Sequence, residues 1–153
     1  MNITLEPITI DNFETVMDIE LPPDQARYVA SNAYSIAQAH YYPEFEPRAI
    51  CADGKPIGFL LYGKPEPHAP GHYGIYRLMV DAPSQGRGIG RRAMELLLAE
   101  LRAQPDMHRI WICYKPDNAV GQRFYASLGF TEVGIDADGE MIAEIRRPAP
   151  AAP

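Results

Sequence analysis

The sequence predicts a single α+β domain, in which short strands joined by tight hairpins pack against amphipathic helices. Its 153 residues, 46% of them hydrophobic, can build one domain with one buried core. Two Asp-Gly pairs, Asp53-Gly54 and Asp138-Gly139, each separate two apolar runs, which is typical of an antiparallel hairpin. Between residues 89 and 101, apolar side chains recur at four-residue steps, which indicates an amphipathic helix.

The other elements follow from apolar periodicity and from turn and cap residues. Strands are predicted at 3–8, 48–52, 57–62, 73–80, 109–114, 130–135 and 140–146. Four helices are predicted: one from an Asp11–Glu14 capping box to about Ile19, one over Pro23–His40, one from Gly88 to before Pro105, and one between Asn118 and Gly129. Prolines bound predicted loops at 43–46 and 63–72. Residues 1–147 are expected to form the domain, and the Ala/Pro segment 148–153 is expected to be a disordered tail.

Composition excludes several classes of function. The net charge of −6 argues against a nucleic-acid binder. No apolar run reaches the ~18–20 residues that span a bilayer, and no signal peptide opens the chain, so we expect a cytoplasmic protein without a membrane partner. Cys51 and Cys113 lie far apart, and the four histidines are dispersed, so neither a disulfide nor a metal site is expected.

The acidic and basic residues are unevenly distributed along the chain. Residues 1–50 carry eight acidic residues and two arginines, whereas residues 77–109 carry six arginines and four acidic residues. This pattern suits a cationic ligand on one side and an anionic ligand on the other, or else an unevenly charged solvated surface.

The most informative stretch is a glycine-rich turn that leads from a strand into the helix that starts at Gly88. The first N–H groups of a helix lack internal partners and lie at the positive end of its dipole. Glycines at 86, 88 and 90 let a bulky anion approach the backbone, and two arginines add positive charge. The turn therefore predicts a phosphate or pyrophosphate cradle.

Two common nucleotide motifs do not fit this turn. A P-loop needs Gly-Lys-Ser/Thr, whereas Gly90 is followed by Arg91. The dinucleotide fingerprint needs a glycine at the sixth position counted from Gly86, where Arg91 stands. A kinase, an NTPase or an NAD enzyme is therefore not expected.

A second motif lies about thirty residues further on, in Asn118 and the run Tyr125-x-x-x-Gly129-Phe130. Together with Gln85-x-x-Gly88-x-Gly90, it resembles the GNAT N-acetyltransferase superfamily, from Ile3 to about Arg146. Within that superfamily the chain is similar to bacterial spermine/spermidine (diamine) acetyltransferases, through residues 28–39, 43–47 and 75–79.

The resemblance implies a mixed, mostly antiparallel central sheet flanked by helices, with two splayed central strands, 73–80 and 109–114. Acetyl-CoA would lie in the gap between these strands. The residues implied to bind it are Leu78, Met79 and Val80 for the pantetheine arm, Gln85, Gly86, Arg87, Gly88, Ile89, Gly90 and Arg91 for the pyrophosphate, and Asn118. No metal is implied.

The resemblance assigns Tyr125 to the acetyl thioester. An amine attacks the thioester, and coenzyme A leaves as a thiolate. A phenol, with a pKa of about 10, is a feasible proton donor to a thiol whose pKa is about 8.5. The alternative is that Tyr125 is a core aromatic of an amphipathic helix.

The base that deprotonates the acceptor is not assigned by the sequence. Some family members carry a glutamate where this chain has Cys113, and a cysteine without a nearby histidine is more often a small buried hydrophobe. The candidates for the base are Glu44, Glu46, Tyr76 and His72.

A polyamine acceptor needs carboxylates and aromatic faces, and the segment 28–46 supplies both. Glu44, Glu46 and Tyr76 are therefore predicted to bind a small-molecule amine. The alternative is that the acidic residues belong to a solvated loop that binds no acceptor. A protein N-terminus, a lysine, an amino acid or an antibiotic amine is an alternative acceptor, and a non-catalytic coenzyme A sensor is an alternative function. Many relatives pair into dimers, so a homodimer is a further expectation.

Overall fold

One seven-stranded sheet organises the computed structural model, which describes residues 1–26 and 29–147. Its strand order is β1-β2-β3-β4-β5-β7-β6, and every neighbouring pair is antiparallel except β4 and β5. The strands are β1 (Ile3–Pro7), β2 (Phe45–Ala52), β3 (Lys55–Gly63), β4 (His72–Val80), β5 (Arg109–Tyr114), β6 (Thr131–Ile135) and β7 (Met141–Arg146). The predicted mixed, mostly antiparallel sheet is confirmed.

Helices cover both faces of the sheet. They are α1 (Phe13–Met17), α2 (Pro23–Ala26), α3 (Asn32–Tyr41), α4 (Ile89–Arg102) and α5 (Ala119–Ser127). Helix α4 contacts β1 and β4, whereas α1 and α3 contact β3 and β2. None of the helices in the described part of the chain is long and apolar enough to cross a membrane.

Strand β3 contributes buried side chains to a hydrophobic core on each face of the sheet. Phe59, Leu60 and Leu61 are consecutive and fully buried, so alternate side chains enter different cores. Leu60 belongs to the core beneath α4, and Phe59 and Leu61 belong to the core that contains Val16 of α1. Both cores are made mainly of aliphatic side chains from the strands and the covering helices.

The two parallel strands separate after a short paired stretch. Their register runs only from His72↔Arg109 to Ile75↔Ile112. Beyond it, β4 stays paired with β3, with a register shift near Arg77, while β5 stays paired with β7. We call the space between residues 76–80 of β4 and 113–114 of β5 the strand gap, and it confirms the predicted splay.

Three local predictions are wrong. The helix predicted over Pro23–His40 is two helices, because Val29 and Ala30 are not helical and Ser31 starts α3 by accepting a hydrogen bond from the Tyr34 N–H at 3.1 Å. Arg27 and Tyr28, which belonged to that prediction, lie outside the described residues, as does the predicted tail 148–153.

The other two errors concern the first helix and the predicted loop at 43–46. Asp11 does not form a capping box, because Asn12 is the residue before α1, and α1 ends at Met17 rather than near Ile19. The Asn12 amide is instead bonded to the Thr9 N–H and the Pro7 carbonyl. Phe45 and Glu46, predicted as loop, begin β2, because they pair with the end of β3.

Candidate active site

A cavity of about 980 Å³ lies at the end of β4, beside the strand gap. It is lined by the ends of α4 and α5 that begin after Gly88 and Asn118, and by residues in and around α2. All but one of the predicted cofactor residues line it: Leu78, Met79, Val80, Gln85, Gly86, Gly88, Ile89, Gly90, Arg91 and Asn118. Tyr125 lines it as well. Arg87 is exposed and is not among the lining residues.

Glycine is required at two positions of the cradle by its backbone conformation. Gly86 and Gly88 have φ angles of +77° and +76°, a region in which other residues are strained. A Cβ atom built on either glycine meets no protein atom within 4 Å, so neither is a glycine because of close packing. The turn therefore leaves open space directly in front of the first N–H groups of α4, which suits an anion.

The side chains of the turn do not all point to that space. Arg91 donates a hydrogen bond to Oγ of Ser127, and its guanidinium lies 5.7 Å from the centre of the Phe124 ring. Arg91 thus joins α4 to α5 while it adds positive charge to the cavity wall. The Gln85 amide donates to the Val80 carbonyl at 2.9 Å and exchanges hydrogen bonds with Gln25.

Asn118 starts α5 as the sequence predicts. Its Oδ1 accepts a hydrogen bond from the Gly121 N–H at 3.0 Å. A Cβ atom on Gly121 would lie 2.6 Å from Nδ2 of Asn118, so the cap geometry depends on a glycine three residues later. Gly129 follows α5 with a φ angle of +102°, which confirms its predicted role in ending that helix.

Tyr125 is held by aromatic neighbours at the inner end of the cavity. Its ring stacks on Tyr114 at 5.7 Å and meets the edges of Phe124 and Phe130. The Tyr114 hydroxyl donates to the Glu132 carboxylate at 2.6 Å, which fixes the ring on which Tyr125 stacks. Burial raises the pKa of Tyr125 to about 12, so the phenol keeps its proton at neutral pH.

The predicted acceptor residues lie outside this cavity. Tyr76 lies on the face of the sheet that α1 and α3 cover, whereas Glu46 pairs with Arg48, which forms an ion pair with α4 on the opposite face. Tyr76 packs between Phe45, at 4.7 Å, and Trp111, at 5.4 Å. Burial raises the pKa of Tyr76, and the nearby Glu66 and Glu44 carboxylates raise it further. Among the predicted acceptor carboxylates, Glu44 is therefore the one whose charge acts on Tyr76.

Glu46 is engaged with cations of the chain itself. Its carboxylate lies 3.5 Å from Nζ of Lys64 and 4.0 Å from Nε of Arg48. Arg48 also forms an ion pair with Glu100 of α4 at 3.2 Å. His72, the remaining candidate base, lies at the paired start of β4, 5.5 Å from the His108 ring, and so at the end of the strand away from the gap.

Carboxylates that the sequence reasoning missed lie across the strand gap from Tyr76. The sulfur of Cys113 and one carboxylate oxygen each of Asp136 and Glu140 lie within 4.8 Å of one another. Cys113 is the first β5 residue beyond the paired stretch, and burial followed by the charges of Asp136 and Glu140 raises its pKa to about 11. A thiol at position 113 is therefore neutral at neutral pH and is not a base.

Residues around α2 and at the start of α5 were also missed. The cavity-lining residues without a sequence prediction are Leu21, Asp24, Gln25, Val29, Ser84, Asp117, Ala119, Val120, Gly121 and Phe124. Those after Asn118 could have been found as the first turn of the predicted helix. No local sequence pattern predicts that the residues near α2 line the cavity, because only tertiary packing brings them to the glycine-rich turn.

A mixed sheet whose parallel strands part beside a glycine-rich helix terminus is the arrangement expected of a coenzyme A-dependent acyltransferase. A sequence profile described as the Acetyltransferase (GNAT) family matches residues 13–130. The chain therefore belongs to the GNAT family, whose members are acetyl-CoA-dependent N-acetyltransferases.

Relatives of known name agree with this assignment. The spermine/spermidine N(1)-acetyltransferase of Bacillus subtilis is 27% identical over 150 residues, covering 93% of this chain and 97% of its own. The PaiA N-acetyltransferase of Thermoplasma acidophilum, solved with coenzyme A, has a TM-score of 0.73 at 17% identity and covers 96% of this chain and 100% of its own. The aminoglycoside acetyltransferase AAC(6')-Ib, solved with coenzyme A and kanamycin, has a TM-score of 0.76 at 20% identity and covers 95% of both chains.

Proposed function

We propose that the chain transfers the acetyl group of acetyl-CoA to a primary amine of a polyamine such as spermidine or spermine, by direct attack in a ternary complex. One observation carries the proposal. The strand gap separates a cavity that contains Tyr125 and a glycine-rich helix terminus from a face that carries Tyr76 and carboxylates. The donor would occupy the cavity, and the amine would approach from the other face.

The glycine-rich turn supports a pyrophosphate as the anion. The N–H groups after Gly88 are donors at the positive end of the fourteen-residue helix α4, and no side chain fills the space before them. In β4, the residues 76–80 pair with β3 on one edge only, so their other edge offers backbone groups to the amides of a pantetheine arm.

Tyr125 would serve as a hydrogen-bond donor to the leaving sulfur. With a pKa near 12, full proton transfer to a thiolate whose conjugate acid has a pKa of about 8.5 runs uphill. The phenol therefore stabilises the developing thiolate by hydrogen bonding, and the proton released by the attacking amine can neutralise the thiolate after the carbon–sulfur bond breaks.

The acceptor amine has to lose a proton before it attacks, since a primary ammonium has a pKa of about 10.4. Tyr76 is protonated at neutral pH, since even an ordinary tyrosine has a pKa of about 10 and burial raises that of Tyr76, and His72 lies away from the gap. Glu46 is already paired with Lys64 and Arg48. Glu44, whose charge acts on the Tyr76 hydroxyl, is thus our candidate to bind the ammonium, which would lose its proton through water.

A polyamine suits the chemistry of this face. The rings of Tyr42, Phe45, Tyr76 and Trp111 form a continuous row of contacts at 5.3, 4.7 and 5.4 Å. Glu44 and Glu66 lie near one side of Tyr76, and Asp136 and Glu140 lie beside Cys113. Aromatic faces and carboxylates spaced along a path favour a flexible chain of ammonium groups. The name of the Bacillus relative supports the same substrate class.

An amine panel tests the proposal. The purified chain and acetyl-CoA are assayed for thiol release with spermine, spermidine, putrescine, a lysine peptide and a peptide with a free N-terminus. We expect the highest kcat/KM with a polyamine. A preference for either peptide would overturn the polyamine assignment and leave acetyl transfer standing, whereas coenzyme A binding without turnover of any amine would favour the sensor.

We also propose that the chain forms a homodimer through the β6 edge of the sheet. Strand β6 is the edge of the sheet, and Val133 and Ile135 on it are 53% and 55% exposed. Sedimentation of the chain together with a variant carrying lysine at both positions would show whether this edge is the contact. We expect a dimer for the parent chain and a monomer for the variant.

A further inference from the structure

The side-chain amide of Gln85 joins three parts of the molecule. Its Nε2 donates to the Val80 carbonyl at 2.9 Å and to Oε1 of Gln25 at 2.9 Å, and its Oε1 accepts from Nε2 of Gln25 at 3.1 Å. Val80 ends β4, Gln85 opens the glycine-rich motif, and Gln25 lies sixty residues earlier in α2. Both hydrogens of the Gln85 amide are thus directed at protein acceptors.

This arrangement separates the side chain of Gln85 from the cofactor. An amide NH₂ group has two hydrogens, and both are committed in two bonds of ordinary length. The side chain therefore cannot donate to a phosphate without releasing Val80 or Gln25. Gln85 can still contribute its backbone N–H to the cradle.

Helix α2 needs such a tie, because it has no hydrophobic anchor of its own. It is a single turn, Pro23–Ala26, and it buries none of its four residues. Asp24 and Gln25 nevertheless line the same cavity as Gly86 and Gly88, and so does Leu21 just before the helix. The position of this cavity wall depends on the packing of Leu21 against the core that contains Val16 and on what holds α2 to the turn.

We propose that Gln25 and Gln85 are positioning residues, which clasp α2 to the glycine-rich turn and so hold the cavity closed around the coenzyme. The inference rests on the proposed function, since it takes coenzyme A as the occupant of the cavity. The clasp acts on binding and release of the coenzyme rather than on the acetyl-transfer step, because the two amides are bonded to each other and to the Val80 carbonyl and not to Tyr125.

The variants Gln25→Met, Gln85→Met and the double variant test the clasp, because methionine keeps the length of the side chain and removes its hydrogen bonds. We expect each single variant to raise the Kd of coenzyme A by about tenfold, the scale of a lost pair of neutral hydrogen bonds, through faster dissociation. We expect kcat at saturating acetyl-CoA to change less than twofold. The double variant should be no weaker than Gln85→Met, since both changes remove the same interaction.

Gln104→Met is the matched control, because Gln104 is an exposed glutamine outside the cavity. It should leave the Kd, the dissociation rate and kcat unchanged. Additive effects of the two single variants, or a parental dissociation rate in Gln25→Met, would overturn the clasp. So would a fall in kcat as large as the rise in Kd, because that would place these residues in the transfer step.

A second measurement does not depend on the coenzyme. The N–H groups of Gln25 and Ala26 donate to the Pro22 carbonyl, so hydrogen exchange reports on α2 directly. Without ligand, Gln85→Met should speed exchange at these two amides and leave α4 unchanged, and equal exchange in both chains would refute the clasp. If the parent chain does not bind coenzyme A, the proposed function fails, and the role of the clasp in coenzyme binding fails with it. The exchange result still decides whether Gln25 and Gln85 hold α2 to the turn.

Discussion

The two faces that meet at the strand gap are built in different ways. On the side of α4 and α5, the glycine-rich turn that lines the cavity is a contiguous segment, and open space lies beside Gly86 and Gly88 because of their backbone conformation. On the side of α1 and α3, the predicted acceptor residue Tyr76 is already in contact with protein groups from other strands, the rings of Phe45 and Trp111. The first region already has open space for a ligand. In the second region, an acceptor would have to compete with the contacts that these side chains make within the protein.

This difference accounts for what the family shares and what varies within it. A helix terminus binds a pyrophosphate through backbone groups that any sequence of suitable shape provides. Recognition of the amine depends on individual side chains, so relatives that share the fold carry names as different as spermine and aminoglycoside acetyltransferases.

The largest effect is expected at the cradle, for Gly88→Val. The φ angle of +76° strains any other residue, and the new side chain enters the space before α4. We expect the Kd of acetyl-CoA, measured by calorimetry, to rise by about 100-fold. Gly54→Val is the control, since Gly54 has a φ angle of +85° and equally open surroundings in the β2–β3 turn. Equal losses of coenzyme binding in both variants would show that strain, rather than the cradle, is responsible.

A similar loss in rate is expected for Tyr125→Phe, which removes only the hydroxyl. We expect kcat to fall by about 100-fold, at the lower end of what a lost hydrogen-bond donor to a developing charge costs, while the Kd of acetyl-CoA stays within about twofold. Tyr41→Phe is the control, because Tyr41 is 78% exposed on α3. A fully active Tyr125→Phe enzyme would remove this residue from the mechanism.

The pH dependence of kcat also tests the role of Tyr125 as a hydrogen-bond donor. A group whose folded-state pKa is raised keeps its proton up to that higher value, so Tyr125 should remain a donor until the pH approaches 12. We expect no decline of kcat between pH 8 and about 10 in a chain that remains folded. A decline centred near pH 9 that is absent in Tyr125→Phe would contradict this expectation.

A smaller effect is expected on the acceptor side. Glu44→Gln should raise the KM for spermidine by about fivefold, because one charge-assisted contact is lost. Glu46→Gln should change it less than twofold, since the Glu46 carboxylate is held by Lys64 and Arg48. The measurement is steady-state kinetics at saturating acetyl-CoA. If neither variant changes KM, these carboxylates do not bind the acceptor.

The smallest effect is expected from the helix cap of α5. Asn118→Ala removes a side-chain bond to the Gly121 N–H and should cost about 1 kcal/mol, seen as a Tm lower by a few degrees. Ser31→Ala removes the equivalent bond at the start of α3, outside the cavity. We expect both variants to lose similar stability, and only Asn118→Ala to weaken coenzyme binding. Equal coenzyme affinity in the two variants would show that Asn118 caps α5 and does not contribute to coenzyme binding.

The sequence predicted best those features that depend on neighbours in the chain. The hairpin at Asp53-Gly54, the start of α4 after Gly88 and the cap at Asn118 are all confirmed. It failed where two local signals compete. The long apolar pattern over 23–40 suggested one helix, yet Ser31 begins a new one by bonding the Tyr34 N–H. Nor did any local pattern predict the partners of the Gln85 side chain, which is bonded to Gln25 and Val80.

The sequence alone determined the strands, the main helices, the glycine-rich cradle and the family motifs, because positive φ angles, caps and periodic burial are set within a few residues. Only the tertiary structure decided that β4 and β5 part after Ile75, that Glu46 is neutralised by Lys64 and that α2 reaches Gln85. Such contacts join groups far apart in the chain, and no local rule specifies them, because they form only when every element has packed in its place.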